Sequence, residues 1–287
     1  MNLKNIGVIP NLMKDKNLEV TCQIARCLNE HGLAPFVEKE VAMQMSEEIV
    51  AVNKEELYTR CEALIVIGGD GTILREAEAA SKENVPIVGV NLGRLGFLAD
   101  VETEELSETL KKLIHDDYKI EKRMMLSATI KEPSGEKCVF HALNDINVTR
   151  GSFSRVVQFE IHINDELNDT YRADGVIVAT PTGSTAYNLS AGGPIIVPHA
   201  NTYVVTPVCP HTLYSKSFML SDEDTVSIRT LEETKDMALS IDGQFKMKLT
   251  PQHEVYVERS PYVTRLIKIS DRKFFEILRR KIVERRI

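Results

Sequence analysis

The chain has 287 residues, of which 43% are hydrophobic and 27% are charged, as in ordinary globular proteins. This length allows two domains with a sizeable core. The formal net charge of −7 argues against a broad basic surface for nucleic acid and against attachment to an anionic membrane by charge.

The N-terminus and the cysteines suggest where the protein works. The first residues, MNLKNIGVIPN, lead almost directly into a strand, so we expect neither a signal peptide nor a membrane-spanning helix. The five cysteines form no C-x-x-C pair, which favours reduced packing thiols in a cytoplasmic protein over disulfides or zinc ligands. The seven histidines show no metal-ligand spacing, so we predict no protein-bound metal.

Residues 1–117 alternate between short apolar strands and segments with helical apolar spacing. We expect the first helix to end near Gly32 and Thr103 to cap the last one. The alternation predicts a Rossmann-like parallel α/β domain, whose ligands bind at the carboxyl ends of the strands. Strands are predicted at 6–9, 35–38, 63–67 and 86–90, and helices at 18–28, 47–58, from 70 onward and at 103–115.

The stretch from Ala63 to Ala80 joins a buried strand, a glycine turn and the start of a helix. Glycines let a ligand approach the backbone, and unpaired N–H groups at a helix start attract anions. We therefore predict phosphate binding here, although a plain Asp-Gly turn is the simpler alternative. Neither a Walker A sequence nor a clean G-x-G-x-x-G is present. The predicted phosphate-binding residues are Gly68, Gly69, Gly71 and Thr72.

Residues 118–270 have a sequence pattern typical of antiparallel strands. Apolar and polar residues alternate cleanly over 155–163, which predicts a half-buried strand. Residues 181–194 interrupt the strands with hydroxyl residues and glycines, and we expect Ser184 or Thr185 to cap a short helix over 185–189. The region is therefore predicted to be an all-β domain, a β-sandwich. Further strands are predicted at 137–149, 176–180, 203–208, 225–229, 237–241, 255–258 and 263–269.

A basic amphipathic helix is predicted over 271–287. Such a helix can contact a membrane or a partner protein, but packing of its apolar stripe on the first domain is the simpler interpretation. We therefore assign 271–287 to the first domain.

Three polar pairs have simple structural explanations when each is taken alone. Asn144-Asp145 lies inside a strand-like run and could mark a bulge or a solvent face. Asp174-Gly175 is a turn by default, and Asp242-Gly243 is a strong hairpin signal that needs no function.

Taken together, five motifs are much more specific than any one of them. They are GGDGT at 68–72, NLGRLGF at 91–97, LND at 143–145, DGVIVATPTGSTAYNLSAGGP at 174–194 and SIDGQ at 240–244. With these motifs the sequence resembles the NAD kinase family over nearly its whole length. The resemblance implies an N-terminal α/β domain, a C-terminal all-β domain, a last helix that returns to the first domain, and a homodimer or homotetramer.

The resemblance also implies a reaction. ATP, or polyphosphate in some members, phosphorylates the 2′-hydroxyl of the adenosine ribose of NAD to give NADP, with Mg²⁺ accompanying ATP. Asp70 matches the family's catalytic residue, a general base that takes the ribose hydroxyl proton. Asp145 stands where many relatives have Glu, and a solvated helix arginine is the alternative interpretation of Arg75. The expected NAD-binding residues are Asp70, Gly71, Arg75, Phe97, Asn144, Asp145, Arg155, Arg172, Asp174, Thr185, Ala186, Tyr187, Asn188, Leu189, Ser190 and Gln244.

Two rival functions share some of these features. Lipid kinases and phosphofructokinases resemble the chain at the GGDGT turn, but the 174–194 run and the Asn144 pair disfavour them. A noncatalytic NAD or NADP sensor is disfavoured by the intact Asp70. We expect no nucleic-acid or membrane partner.

Overall fold

A computed structural model describes residues 3–93, 95–99, 101–131, 135–151, 156–212, 215–230 and 237–284. The strands are β1 Asn5–Pro10, β2 Ala34–Glu38, β3 Val50–Val52, β4 Ala63–Gly68, β5 Ile87–Asn91, β6 Val101–Glu102, β7 Lys119–Lys131, β8 Lys137–Ala142, β9 Asp145–Arg150, β10 Val157–Ile163, β11 Glu166–Ala173, β12 Gly175–Ala179, β13 Thr202–Val208, β14 Phe218–Ser221, β15 Val226–Thr230, β16 Met237–Ile241, β17 Gln244–Leu249 and β18 Glu254–Lys268. The helices are α1 Glu19–Glu30, α2 Lys39–Ala42, α3 Lys54–Arg60, α4 Asp70–Lys82, α5 Leu106–Ile114, α6 Tyr187–Ser190 and α7 Phe274–Glu284, and 3₁₀ turns cover Lys16–Leu18, Thr103–Glu105 and Gly183–Thr185.

The chain forms two compact units, residues 1–122 with 264–287, and residues 123–263. The sequence predicts the boundaries after residues 117 and 270. The difference arises because β7 and β18 each run from one unit into the other, so no break in composition marks the boundary.

The first unit is a parallel sheet in the order β3-β2-β1-β4-β5, with β6 and the end of β18 also on β5. Residues 63–67 of β4 are fully buried, as expected of a central parallel strand covered on both faces. Gly68 pairs with Asn91, so the turns after β4 and β5 leave the same edge of the sheet. The predicted parallel α/β domain is confirmed.

Two local predictions in this unit were wrong. Residues 50–52 of the predicted helix form β3, because they complete the sheet edge beside β2. Asn53 then caps α3 in a capping box with Glu56. Thr103 lies inside a 3₁₀ turn, and Glu102 occupies the capping position with Glu105 as its partner. The predicted end of the first helix is correct, since α1 ends at Glu30, His31 is its C-cap and Gly32 follows with a φ of +73°.

The second unit contains two antiparallel sheets packed on one apolar core. One sheet has the order β14-β13-β12-β9-β16-β17, and the other contains β11-β10-β15-β18 with β7 and β8. Core residues come from both sheets, including Ile146, Val178 and Leu239 from the first and Phe159 and Ile228 from the second. The predicted β-sandwich is confirmed.

Several strands of this unit escaped prediction. β11 is an edge strand with mostly exposed polar residues, so it shows no apolar alternation. β7, β14 and β17 were also missed, and the predicted strand 137–149 is interrupted at 143–144, between β8 and β9. The strands predicted at 255–258 and 263–269 are one continuous strand, β18.

Helix α7 belongs to the first unit, as predicted. The Phe274 ring lies 5.8 Å from the Phe97 ring, and the Lys281 amine lies 5.2 Å from the centre of the Phe97 ring. The helix therefore packs against the loop that follows β5. No helix among the described residues is both long enough and apolar enough to cross a membrane.

All five cysteines are free thiols. Four are at least partly buried, but Cys209 is exposed and has a φ of +46°. The expectation that all five pack inside the fold was therefore wrong for Cys209, because it lies in the surface turn after β13.

Candidate active site

Asp70 is the first residue of α4, directly after the glycines that end β4. Its carboxylate accepts three backbone hydrogen bonds, from the N–H groups of Phe97 at 2.9 Å and of Leu98 and Ala99 at 3.0 Å. Hydrogen bonds to an ionised acceptor are among the stronger ones in proteins. The two glycine turns are thus joined, and Phe97 lies beside Asp70 as part of one local site.

Gly96 makes this arrangement possible. A Cβ atom at Gly96 would lie only 1.9 Å from Oδ1 of Asp70, much closer than any real contact. Gly93, in the same loop, has no atom within 4 Å of the equivalent position. The absence of a side chain at residue 96 therefore allows the loop to approach the carboxylate.

Two basic side chains lie beside the GGDGT turn. The Lys14 amine donates to the Gly68 carbonyl oxygen at 3.3 Å, and Nε of Arg75 donates to the Gly71 carbonyl oxygen at 3.2 Å. Arg75 was predicted to contact NAD, whereas Lys14 was missed. It follows β1, which neighbours β4, so its loop emerges at the same sheet edge. The adjacency of the two strands was the signal that could have found it.

The loop that carries Lys14 is fixed to the turn at one end. The Asn11 N–H donates to the Ile67 carbonyl at 2.8 Å, and its side-chain amide donates to Oγ1 of Thr72 at 3.1 Å. Thr72 is buried and uses its hydroxyl in this contact. The positive charge of Lys14 is therefore held close to the turn.

In the second unit, alternate residues of β9 face a cavity of about 280 Å³. Asp145, Asn147 and Thr149 line it, while Ile146 and Val148 between them lie in the core. Asn144, Ala186 and Tyr187, all predicted from the sequence, line the same cavity. The remaining lining residues are Ser240, Asp242 and Gly243.

Asp242 has a role that the sequence analysis missed. It forms the expected two-residue hairpin turn with Gly243 between β16 and β17. Its carboxylate also accepts the backbone N–H groups of Leu143 at 2.9 Å, Asn144 at 2.6 Å and Asp145 at 3.1 Å. The hairpin turn is a sufficient explanation of the Asp-Gly pair in the sequence. The residues that Asp242 contacts lie 97 to 99 positions earlier in the chain, so no local pattern reveals these hydrogen bonds. Asp242 therefore positions the Asn144-Asp145 backbone.

The two carboxyl groups at this cavity have raised pKa values. Burial raises the pKa of Asp145 to about 6, and the hydrogen bond from Asn147 opposes that effect. Burial also raises the pKa of Asp242 to about 7, with the three N–H groups opposing it and the nearby charge of Asp145 adding to it.

Replacing Asp145 with asparagine should change how stability depends on pH. Because the folded-state pKa of Asp145 is raised to about 6, the folded protein holds this proton more tightly than the unfolded chain. The resulting stabilisation is present below the ordinary Asp pKa and is lost as pH rises through about 6. We expect wild-type stability to fall by roughly 1 to 2 kcal/mol relative to Asp145→Asn between about pH 5 and about pH 8. Chemical denaturation of both proteins across that range measures this, and a constant difference would contradict it.

The 180–183 turn packs directly on Asn144. The Thr180 hydroxyl donates to the Leu143 carbonyl at 2.6 Å, and the Thr180 N–H donates to the Asn144 carbonyl at 2.9 Å. A Cβ atom at Gly183 would lie 2.0 Å from that same Asn144 oxygen. The turn that interrupts the predicted strands after Thr180 therefore packs against the backbone of the Asn144-Asp145 pair.

The predicted helix cap in this segment was wrong. The Ser184 hydroxyl donates to the Pro181 carbonyl at 2.7 Å and the Thr185 hydroxyl to the Thr182 carbonyl at 3.2 Å, so neither caps a helix. A 3₁₀ turn ends at Thr185, and α6 covers only four residues.

The other predicted site residues differ in accessibility. Asn188 is fully buried, and its side chain bonds Ser184, Pro194 and Thr206 inside the fold. Thr185 is also buried, Leu189 is half-buried and Ser190 is exposed.

Three further predicted residues lie on or beside strands. Asp174 accepts a hydrogen bond from Nε of Arg150 at 2.7 Å. Arg172 is exposed on β11, and half-buried Gln244 opens β17 directly after the hairpin turn. Arg155 lies outside the described residues.

Two family models match the chain. The ATP-NAD kinase N-terminal domain matches residues 6–118, and the ATP-NAD kinase C-terminal domain matches residues 143–269. A protein named NAD kinase from Caldanaerobacter subterraneus subsp. tengcongensis is 45% identical, over 99% of this chain and 100% of its own length. Another from Clostridium botulinum (strain Kyoto / Type A2) is 42% identical, over 98% of this chain and 96% of its own length.

Solved structures agree. Yeast NADH kinase complexed with NADH is similar with a TM-score of 0.91 and 26% identity, covering 97% of this chain and 87% of that one. An NAD kinase from Archaeoglobus fulgidus in complex with ATP has the same fold, with a TM-score of 0.76 at 24% identity over 96% of this chain and 98% of that one. From its sequence and its fold, the chain belongs to the NAD kinase family.

Proposed function

We propose that this protein is an NAD kinase that transfers the terminal phosphoryl group of ATP to the 2′-hydroxyl of the adenosine ribose of NAD, giving NADP. It would thus be a phosphotransferase with an alcohol acceptor, as its named relatives are. The observation that carries the proposal is the Asp70 carboxylate, held by three backbone N–H groups at the end of a glycine turn.

In this mechanism Asp70 is the general base. Phosphoryl transfer depends mainly on positioning and charge stabilisation, so the protein has little covalent chemistry to perform. A carboxylate fixed by Phe97, Leu98 and Ala99 can orient the ribose hydroxyl and accept its proton as the phosphoryl group arrives.

The GGDGT turn would hold the phosphates. Backbone N–H groups at the start of α4 favour an anion, and Lys14 and Arg75 add positive charge beside the turn. The described residues contain no cluster of three His, Cys, Asp or Glu side chains that could hold a metal ion. We propose that Mg²⁺ arrives as part of the substrate, bound to the phosphates of ATP.

The second unit would bind the dinucleotide. The cavity beside β9 brings Asn144, Asp145, Ala186 and Tyr187 together, which supports their assignment to NAD. The remaining proposed NAD contacts are Gly71, Phe97, Arg155, Arg172, Asp174, Thr185, Asn188, Leu189, Ser190 and Gln244.

We also propose that the protein is cytoplasmic and forms a homodimer or homotetramer.

One assay tests the function. Purified protein is incubated with ATP, Mg²⁺ and NAD, and NADP is measured with an NADP-dependent dehydrogenase. We expect NADP to form and the reaction to stop when a chelator removes Mg²⁺. Folded protein that binds NAD without forming NADP would instead favour a sensor, and phosphorylation of a lipid or sugar phosphate alone would favour the other kinases.

Replacing Gly96 with alanine should greatly reduce this activity. The new methyl group would overlap Oδ1 of Asp70, so the carboxylate or the loop must move. Since misplacement by about 1 Å can cost roughly 100-fold in rate, we expect at least that loss in turnover. Gly93→Ala, where the equivalent position is open, is the matched control and should keep wild-type turnover. Equal activity of the two variants would contradict this account of the loop.

A further inference from the structure

Asn147 lies at the middle of β9 and is only 3% exposed. Its side-chain Nδ2 donates to Oδ1 of Asp145 at 2.6 Å. Its other polar atom, Oδ1, is buried and has no hydrogen-bond partner within the part of the chain that the structure describes. Half of this amide is therefore satisfied and half is not.

An unpaired buried acceptor is uncommon in a folded protein and calls for an explanation. The Asn147 side chain cannot gain by turning around, because its NH₂ group faces a carboxylate that only accepts when ionised. The amide oxygen is therefore fixed as an acceptor. Asn147 also lines the cavity that contains Asn144, Asp145 and Tyr187.

We propose that Asn147 is a specificity-determining residue of this cavity, and that its Oδ1 accepts a hydrogen bond from an amino group of the dinucleotide. This inference rests on the proposed function. An NH₂ group carries two N–H bonds, so it can donate one hydrogen bond to the carboxylate of Asp145 and one to Oδ1 of Asn147. NAD has two such groups, the 6-amino group of adenine and the carboxamide of nicotinamide.

Titration calorimetry with three dinucleotides distinguishes the two groups. The ligands are NAD, the analogue with hypoxanthine in place of adenine, and nicotinic acid adenine dinucleotide. We expect Asn147→Val to bind NAD about tenfold more weakly, as for the loss of one buried hydrogen bond. The substitution should not weaken binding of the analogue that lacks the recognised amino group, because that analogue carries an oxygen in its place.

Thr170→Val is the matched control, because Thr170 lies on a strand of the same unit and does not line the cavity. Asn147→Thr provides a second variant that suits a strand if the valine protein does not fold. Equal weakening for all three dinucleotides would overturn the inference in favour of a purely structural role, and unchanged NAD affinity would overturn it outright. Since calorimetry needs no turnover, wild-type protein that binds NAD with this discrimination but forms no NADP would refute the proposed function alone.

Discussion

Asp70→Asn should lower the turnover number roughly 100- to 10,000-fold, the range typical for loss of a general acid or base. NAD affinity should change by no more than a few fold. An amide has nearly the shape of a carboxylate, but it cannot accept the proton of the ribose hydroxyl. Steady-state kinetics with ATP and NAD, combined with calorimetry for NAD binding, measure the two effects separately. A turnover number near that of the wild type would refute the assignment of Asp70 as general base.

The same substitution also tests the loop after β5. The carboxylate accepts N–H groups on both oxygens, whereas an asparagine side chain offers only one oxygen. Hydrogen exchange of residues 97–99 therefore serves as a control for movement of the loop. If exchange is unchanged while turnover falls, the loss belongs to the proton acceptor and not to a displaced loop.

Asp242→Ala should lower the stability of the second unit and its affinity for NAD. The substitution leaves the N–H groups of Leu143, Asn144 and Asp145 without their acceptor. Since each unpaired buried group costs about 1 to 3 kcal/mol, partly relieved by water, we expect a loss of about 2 to 4 kcal/mol in the free energy of unfolding. We also expect NAD to bind at least about tenfold more weakly, since a loss of 1.4 kcal/mol in binding free energy corresponds to a tenfold higher dissociation constant.

Asp165→Ala is the matched control for Asp242. Both aspartates lie in hairpin turns with positive φ, 68° at Asp165 and 51° at Asp242, so alanine meets a similar backbone cost in each. Asp165 is exposed in its turn. Hydrogen exchange of the 143–145 amides should accelerate in Asp242→Ala and stay unchanged in Asp165→Ala. Equal exchange in the two variants would contradict the positioning role of Asp242.

The first unit was the more predictable part of the fold. β4 is apolar on both faces, and Gly68 to Thr72 mark the end of the strand, so local sequence determines both elements. Residues 50–52 were misassigned because pairing with β2, a tertiary contact, decides their conformation. Lys14 was missed for a related reason, since only the neighbouring positions of β1 and β4 bring it to the turn.

In the second unit, only strands with a clear apolar pattern could be predicted from the sequence. The alternation of Val157, Phe159 and Ile161 correctly predicts a half-buried strand. Polar edge strand β11 has no such pattern and depends on its neighbour β10. The unpaired oxygen of Asn147 becomes visible only when burial and hydrogen bonds are known.

The most direct test is a crystal structure of the protein with NAD bound. We expect a carboxylate oxygen of Asp70 to lie within hydrogen-bond distance, about 3 Å, of the 2′-oxygen of the adenosine ribose. An Asp70 side chain turned away from the nucleotide, with that ribose bound elsewhere, would contradict it.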